Sequence, residues 1–160
     1  MASWHIAKPI STAEAAASIP PLYQKFRIQT GYHNQILRTV VAGIFYYNNP
    51  AFGVIRMELW ADRNGTPSRK LAESDAYTQA ECNTANFAYR LQAFTFQNIA
   101  LKKSTFYHLA LKPTAYTGDA SSHIAWRQAW PDMQYPQDIT NTLEFGAKFP
   151  YDALLETADL

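Results

Sequence analysis

The chain contains the stretch Leu59-Trp60-Ala61-Asp62-Arg63-Asn64-Gly65-Thr66-Pro67-Ser68-Arg69-Lys70-Leu71-Ala72. Its centre is dense in turn-forming residues, because Asn and Gly tolerate positive φ angles, Pro fixes φ, and Asp and Ser side chains bond to nearby backbone. Before the turn, Ile55, Met57 and Leu59 alternate with more polar residues, which is the period of a half-buried strand. Residues 69 to 76 are the expected return strand, so the stretch predicts a β-hairpin.

The same alternation recurs on both sides of this hairpin, with almost no helical periodicity. About eight strand segments follow one another at spacings of roughly 10 to 15 residues, which is typical of an antiparallel β-sandwich or barrel. The predicted strands are residues 22–28, 36–47, 54–60, 69–76, 85–96, 105–112, 122–128 and 143–149. In residues 85–96 the apolar side chains change sides near Ala93, so we expect a β-bulge there, followed by a turn at Gln97-Asn98.

The two ends of the chain depart from the strand pattern. The sequence divides into an N-terminal arm at 1–21, a sandwich at 22–150 and a C-terminal tail at 151–160. In the arm, Ser11 and Glu14 have the spacing of a capping box at the start of a short helix, and Pro20-Pro21 ends it. Such a short helix is marginal in water. The arm is therefore either a loosely packed leader or an element that docks on a partner. The tail is predicted to form one helical turn.

Composition limits the class of protein. With 160 residues, 48% of them apolar, the chain can bury the core of a single domain. The balance of 14 basic and 13 acidic residues argues against a nucleic-acid partner. A single cysteine, Cys82, leaves no internal disulfide. The sequence shows neither a signal peptide nor an apolar run of membrane length, so we expect synthesis in a cytoplasm and no membrane partner.

The hairpin and the strands after it resemble jelly-roll modules of carbohydrate-binding type, over roughly residues 54 to 130. Those modules have a hairpin of the form Leu-x-x-Asp-x-x-Gly-x-Pro-Ser-x-x-Leu-Ala. Their later strands are similar to Phe94-Thr95-Phe96, Ile99-Ala100-Leu101, residues 104–111 and Ile124-Ala125-Trp126. One departure is that this chain has Lys103-Ser104 where the modules carry a glycine. The predicted fold is thus an all-β, antiparallel jelly-roll β-sandwich of about eight strands with an N-terminal arm or short helix.

Such modules occur as sugar-binding appendages of secreted enzymes, and similar jelly rolls occur as free-standing decoration, cement or adhesin proteins of phage particles. A fold hosts many functions, so the resemblance does not choose between these roles. The initial Met and the missing signal peptide fit a virion protein better than a secreted appendage.

Few residues point to chemistry. The carboxylates are scattered over turns and outward strand positions, whereas a hydrolase needs paired carboxylates or an activated nucleophile. His108 and His123 are predicted on adjacent strands, which is a weak metal signal. We therefore expect no enzyme and no cofactor, with calcium as the alternative because jelly-roll modules often hold it. The oxygen donors predicted for such a site are Asp62, Asn64 and Asp119. The competing interpretation is that Asp62 and Asn64 bond only within their turn.

A glycan site needs exposed aromatic planes with polar neighbours. Trp60 lies on the polar side of its strand, and Trp130 and Tyr135 lie in a loop, so these three are the predicted stacking platforms. Trp126 lies on the same side of its predicted strand as Ile124 and is expected in the core. The alternative for Trp130 and Tyr135 is that they cap one end of the sandwich or anchor a subunit interface, where aromatic residues also dominate.

Taken as a set, these patterns favour a non-enzymatic virion structural protein, a capsid decoration or cement subunit that binds and stabilises neighbouring subunits. We expect a homo-oligomer located on the virion, with capsid or other virion proteins as partners and with the arm and tail lying on neighbours. The alternative is a carbohydrate-binding module or tail adhesin that recognises surface glycans.

Overall fold

The computed structural model describes residues 7–18, 23–27, 34–82, 90–127 and 153–159. Within them, ten strands form two antiparallel sheets that pack face to face, and two short helices accompany them. The elements are β1 (Ala7–Pro9), α1 (Thr12–Ala16), β2 (Gln24–Arg27), β3 (Gln35–Tyr47), β4 (Val54–Arg63), β5 (Thr66–Glu73), β6 (Tyr77–Thr78), α2 (Gln79–Cys82), β7 (Arg90–Leu101), β8 (Phe106–Pro113), β9 (His123–Arg127) and β10 (Ala153–Asp159). The predicted all-β antiparallel sandwich is confirmed.

Sheet A is organised around β3, and sheet B around β4 and β8. In sheet A, β7 pairs with residues 35–44 of β3, β10 with residues 35–42 and β9 with residues 44–47, while β1 pairs with β9. Because β7 and β10 flank the same part of β3, they occupy opposite edges, and β9 and β10 lie end to end. Sheet B has the order β2-β8-β4-β5, with β6 also on β4. The chain changes sheet from β3 to β4, from β7 to β8 and from β8 to β9, as in two-sheet jelly rolls.

The core lies between the sheets and follows the alternation of the sequence. On β4 the side chains of Ile55, Met57 and Leu59 have no exposed surface, and Leu109 on β8 is equally buried. Trp126 on β9 is 1% exposed, so its predicted core position is confirmed. Alternate side chains of a strand point to opposite faces, so one apolar set from each sheet is sufficient to fill the space between them.

The β4–β5 hairpin is tighter than the sequence predicts. Its loop has only Asn64 and Gly65 at its tip, with φ angles of 54° and 86°, as a type I′ turn requires. Pro67 already belongs to β5, opposite Asp62. A proline is tolerated there because β5 is the edge strand of sheet B and its missing N–H interrupts no inner ladder. The predicted hairpin pairing is present, but its strands are Val54–Arg63 and Thr66–Glu73 where the sequence predicts residues 54–60 and 69–76.

Strand β7 differs from its prediction both in which side chains face the core and in where the strand is irregular. Its register with β3 is continuous through Ala93, so no bulge lies there. The irregularity falls later, where residues 96–98 oppose Arg38 alone, and Asn98 takes a φ angle of 52°. The predicted turn at Gln97-Asn98 is thus a bulge within one long strand. Leu91 consequently faces outward.

The two chain ends lie on the sandwich. Ser11 and Glu14 form the predicted capping box, with the Ser11 side chain bound to the Glu14 N–H and the Glu14 side chain bound to the Ser11 N–H. The predicted helical turn of the tail is wrong, because residues 153–159 form β10 and pair along β3. The predicted domain boundaries, at 21 and 150, and the predicted strand 143–149 lie outside the described residues. Among the helices of the described residues, none is long and apolar enough to cross a membrane.

Candidate functional site

The outer face of sheet A is apolar. Because Val40 and Ala42 of β3 are fully buried in the core, the alternate residues Val41 and Gly43 point away from it. Across the ladder they lie opposite Ala93 and Leu91 of β7. Leu91 is 63% exposed. We call this surface, formed by Val41, Gly43, Leu91 and Ala93, the Leu91 face. Ala93 is also exposed, Val41 is half-buried and Gly43 is buried. Exposed apolar groups on a folded surface mark interaction sites.

The free edge of β7 beside this face is covered by the chain that follows β5. Asp75 binds Thr95 twice, since its N–H donates to the Thr95 carbonyl over 2.9 Å and its carboxylate accepts from the Thr95 N–H over 2.8 Å. The Tyr77 hydroxyl donates to the carbonyl of Ala93. These contacts use the backbone groups to which another strand would bind. Between Ala93 and Thr95, the strand edge is therefore closed to pairing.

The outer face of sheet B is charged and internally paired. Glu58 is only 6% exposed; its carboxylate accepts a hydrogen bond from Trp60 Nε1 over 3.0 Å and lies 3.6 Å from Lys70 Nζ. Lys70 also contacts Glu73, which is 3.2 Å from Arg56. The Lys70–Glu73 hydrogen bond raises the pKa of Lys70 and lowers that of Glu73. Each charge in this network has an opposite charge beside it.

A buried histidine–aspartate pair lies on the same face. His108 is fully buried, and its Nε2 is 2.7 Å from Asp62 Oδ1, while its Nδ1 has no hydrogen-bond partner in the described part of the chain. The ring of Tyr23 packs edge-on against it, with centroids 4.7 Å apart. Burial lowers the pKa of His108, and the hydrogen bond to Asp62 opposes this shift. The neutral ring therefore donates from Nε2 to the Asp62 carboxylate.

Phe106 forms a small cationic and aromatic surface one residue pair away from His108. Lys25 Nζ lies 4.2 Å, and Arg27 Cζ 5.1 Å, from the centroid of its ring. Lys25 and Arg27 are alternate residues of β2, so both point to the outer face. All three side chains are half-buried. A cation over an aromatic ring is attracted by the negative face of the ring. Lys25 and Arg27 are therefore each stabilised by their contact with Phe106.

The three residues predicted to bind calcium do not form one site. Asp62 and Asn64 lie at the hairpin end of β4, where Asp62 bonds to His108. Asp119 follows the other end of β8, since Thr114 bonds to Val54 at the far end of β4. A strand of this length separates the two ends by roughly 25 Å. Among the described residues there is no group of three or more His, Cys, Asp or Glu that could hold a metal ion.

The predicted aromatic platforms have different outcomes. Trp60 is 7% exposed and its indole nitrogen is bonded to Glu58, so it offers no open plane for a sugar. The Glu58 carboxylate accepts a hydrogen bond from the indole N–H, which is the only polar group of the Trp60 side chain. The ring can therefore be buried without an unpaired donor. Trp130 and Tyr135 lie outside the described residues. Their predicted role stays a prediction.

The two histidines singled out in the sequence lie on different sheets. His108 belongs to β8 in sheet B, and His123 belongs to β9 in sheet A, where its Nδ1 is 2.9 Å from the carbonyl oxygen of Asp119. Cys82 is buried, with its Sγ 3.4 Å from the Nε2 of Gln92. The cysteine is thus a packed side chain of the core.

Sequence reasoning missed the His108–Asp62 pair and the exposure of Leu91. The pair was detectable in principle, because both residues fall on the outward phase of their strands. Its partners are 46 positions apart, however, and only the register of β4 with β8 brings them together. In sequence, Leu91 has the same phase as the apolar Phe87 and Tyr89, and this pattern predicts the inner side for all three.

A scan against protein-family models matched no family, and a search among curated proteins found no match.

Proposed function

We propose that the protein is a non-enzymatic structural protein of a virion, a capsid decoration or cement subunit that binds neighbouring subunits and copies of itself. The observation that carries the proposal is the exposure of Leu91, 63%, on the apolar Leu91 face. Burying a leucine side chain contributes about 1.5 to 3 kcal/mol, so a leucine left in water at this position is well suited to a contact with another subunit.

The sheet edges support the same proposal, because they direct contacts to the faces. The edge of β7 is covered by Asp75 and Tyr77. The edge strand β5 carries Pro67 and the charged Arg69 and Lys70, which discourage strand addition. A subunit protected in this way associates by burying a surface and keeps its own sheets intact.

The proposal assigns the principal contact to the Leu91 face of the sandwich. The sequence suggested that the arm and tail lie on neighbours. Residues 10–17 and 153–159 instead lie on their own domain. The Leu91 face is left as the apolar surface through which the described part of the chain would bind another subunit.

Light scattering tests the proposal most directly. We expect the full chain to be oligomeric and to pellet with purified virion particles, and Leu91→Asp to lose both properties with its melting temperature unchanged. Ala100→Asp is the matched control, since Ala100 is exposed on the same strand near its other end. A monomeric wild-type chain that stays in the supernatant would sink the proposal.

A second candidate function is a carbohydrate-binding module or tail adhesin, favoured by the Phe106 surface. Phe106 is half-buried with Lys25 and Arg27 against its ring, and sugars bind where an aromatic ring adjoins polar groups. In this reading Phe106 takes the place of the buried Trp60, and Trp130 and Tyr135 stay candidate platforms.

A glycan array separates the two candidates. The adhesin reading expects hits with the wild-type chain that weaken at least tenfold in Phe106→Ala and persist in Leu91→Asp. An array without hits, or hits that Phe106→Ala leaves unchanged, would count against a site on this face.

A further inference from the structure

The segment that begins the described chain lies in a groove of the sandwich. The groove is made by residues 112–118 and the start of β9. Ile10 N–H donates to the carbonyl of Ile124 over 2.8 Å. The Tyr116 hydroxyl donates to the carbonyl of Ile10 over 2.6 Å and accepts from the N–H of Ile124 over 3.0 Å. One buried hydroxyl thus fixes both the segment and the strand that receives it.

Helix α1 adds a few further anchors. Gly118 N–H donates to the Thr12 hydroxyl oxygen over 3.2 Å, and Lys112 Nζ donates to the carbonyl of Ala17 over 2.6 Å. Ala15 is the helix residue that enters the core. Burial lowers the pKa of Lys112, which reflects how closely this ammonium is enclosed. The groove therefore buries the apolar side chains of Ile10 and Ala15 and binds the backbone carbonyls of Ile10 and Ala17.

The segment fills this groove incompletely. A cavity of about 480 Å³ lies along one side of α1, against Ala16 and Thr114, and another of about 520 Å³ lies along the other side, against Glu14 and Asp119. A helix of five residues has little stability of its own. Residues 7–17 can therefore leave the groove as a unit by breaking the β1–β9 ladder at the edge of sheet A, while the other strand pairs stay intact.

We propose that this groove is an exchange site, in which residues 7–17 of a second copy of the chain replace the protein's own. The inference rests on the proposed function, since it names a contact by which copies would bind one another. The occupant is the segment itself, because Ile10 and Ala15 fill the buried apolar positions and the Thr12 hydroxyl accepts the Gly118 N–H. Exchange forms the same contacts between two chains, so its free-energy cost is limited to association and to the connection toward β2. In sequence, that connection carries Pro20-Pro21, whose rings restrict how the chain can turn back.

A crosslink reports which chain supplies β1. Ala7 and Arg127 face each other in the β1–β9 ladder, so we would prepare Ala7→Cys with Arg127→Cys in a Cys82→Ser background and join the two thiols with a short bis-maleimide. At concentrations where light scattering shows an oligomer, we expect covalent dimers. Mixing the Ala7→Cys chain with an isotope-labelled Arg127→Cys chain should give mixed dimers by mass spectrometry. Each single-cysteine chain alone is the control.

The outcomes separate this inference from the proposed function. Crosslinks only within one chain, in an oligomer that Leu91→Asp dissociates, would overturn exchange and leave the structural role standing. Crosslinked dimers that fail to pellet with virion particles would support exchange and count against the virion role. A chain that is monomeric at every concentration, with internal crosslinks alone, would overturn exchange.

Discussion

The hydroxyl of Tyr116 occupies the space in which a side chain on Gly118 would begin. A Cβ atom built on Gly118 would lie 2.0 Å from Tyr116 Oη and 2.3 Å from Cζ of the same ring. The ring cannot move aside without losing the bonds of its hydroxyl to Ile10 and Ile124. Glycine is required at 118 by this close approach and not by its backbone angles.

Gly118→Ala should lower the free energy of unfolding by about 1 to 3 kcal/mol, the usual cost of overpacking. Denaturant unfolding measures it. Gly53→Ala is the matched control, because the tightest contact of its Cβ would be 3.1 Å, to the Thr114 hydroxyl, with the next atoms at 3.6 Å, and a small shift of the Thr114 side chain relieves it. Equal losses in the two variants would contradict the close-approach explanation.

Acid should weaken the fold through His108. Burial holds its pKa below the ordinary value of 6.5, so between that value and the lower folded one the unfolded chain binds a proton that the native chain does not. The contribution of His108 to the free energy of unfolding is therefore fully present above pH 6.5. It falls as the pH drops below that value, with a slope approaching ~1.4 kcal/mol per pH unit. The groups facing the ring are Asp62, Tyr23 and Lys25.

Unfolding experiments between pH 7.5 and 5.5 check this dependence. His108→Gln should be less stable than wild type at pH 7.5 and should show a flatter profile. A wild-type profile that is already flat in this range would refute the assignment.

The buried carboxylate of Glu58 should stabilise the fold, because it accepts the hydrogen bond of the Trp60 indole N–H. Glu58→Leu leaves the Trp60 N–H buried without its acceptor, which costs about 1 to 3 kcal/mol. Glu58→Gln keeps an acceptor oxygen and should cost less. The Trp60 indole N–H resonance should shift in both, and most in Glu58→Leu. The outcome against this view is a Leu variant as stable as the Gln variant.

The hairpin tip should tolerate only small residues with access to positive φ. Gly65 has a φ angle of 86°, and a Cβ there would meet nothing nearer than Lys25 Nζ at 3.9 Å. The cost of Gly65→Ala is therefore conformational, about 1 kcal/mol. Thermal unfolding against a Thr66→Ala control measures it, and an unchanged melting temperature would argue against the type I′ turn.

Ser104 should respond in the opposite direction. It takes a φ angle of 59° before β8, a left-handed conformation that costs a side-chain-bearing residue roughly 1 to 2 kcal/mol. Because glycine loses more freedom on folding, Ser104→Gly should give a net gain of about 0.5 kcal/mol. A gain in the denaturation midpoint confirms it, and a loss would show that the Ser104 side chain has a stabilising role.

Local patterns were sufficient for the hairpin, the capping box and most strands, because each depends on residues a few positions apart. Gln92 shows where such patterns fail. A glutamine on the inner phase of β7 argues for the outer face, yet the Tyr46 hydroxyl bonds to its Oε1 over 2.5 Å, and Cys82 lies at its Nε2. These partners come from other elements, which local alternation does not reveal. The pattern therefore predicts the wrong face of β7 for Gln92, and with it the wrong face for Leu91.

The same reason explains the errors at Trp60 and in the tail. Trp60 lies on the polar side of its strand, as predicted, but Glu58 satisfies its indole and allows burial. The tail becomes a strand because β3 offers residues 35–42 as a free edge, and no periodicity of seven residues can reveal a partner elsewhere in the chain. The burial of polar groups and the pairing of distant strands depend on residues far apart in the chain, so local sequence patterns do not predict them.

The end-to-end placement of β9 and β10 divides one edge of β3 between two separate strands. Trp126 pairs with Ile44 and Ala153 with Ala42, so one residue of β3, Gly43, lies between the two pairings. Each of the two strands therefore has its own hydrogen-bonded register on β3. A change that shifts the register of one strand need not shift the other, so the two halves of this edge can vary independently.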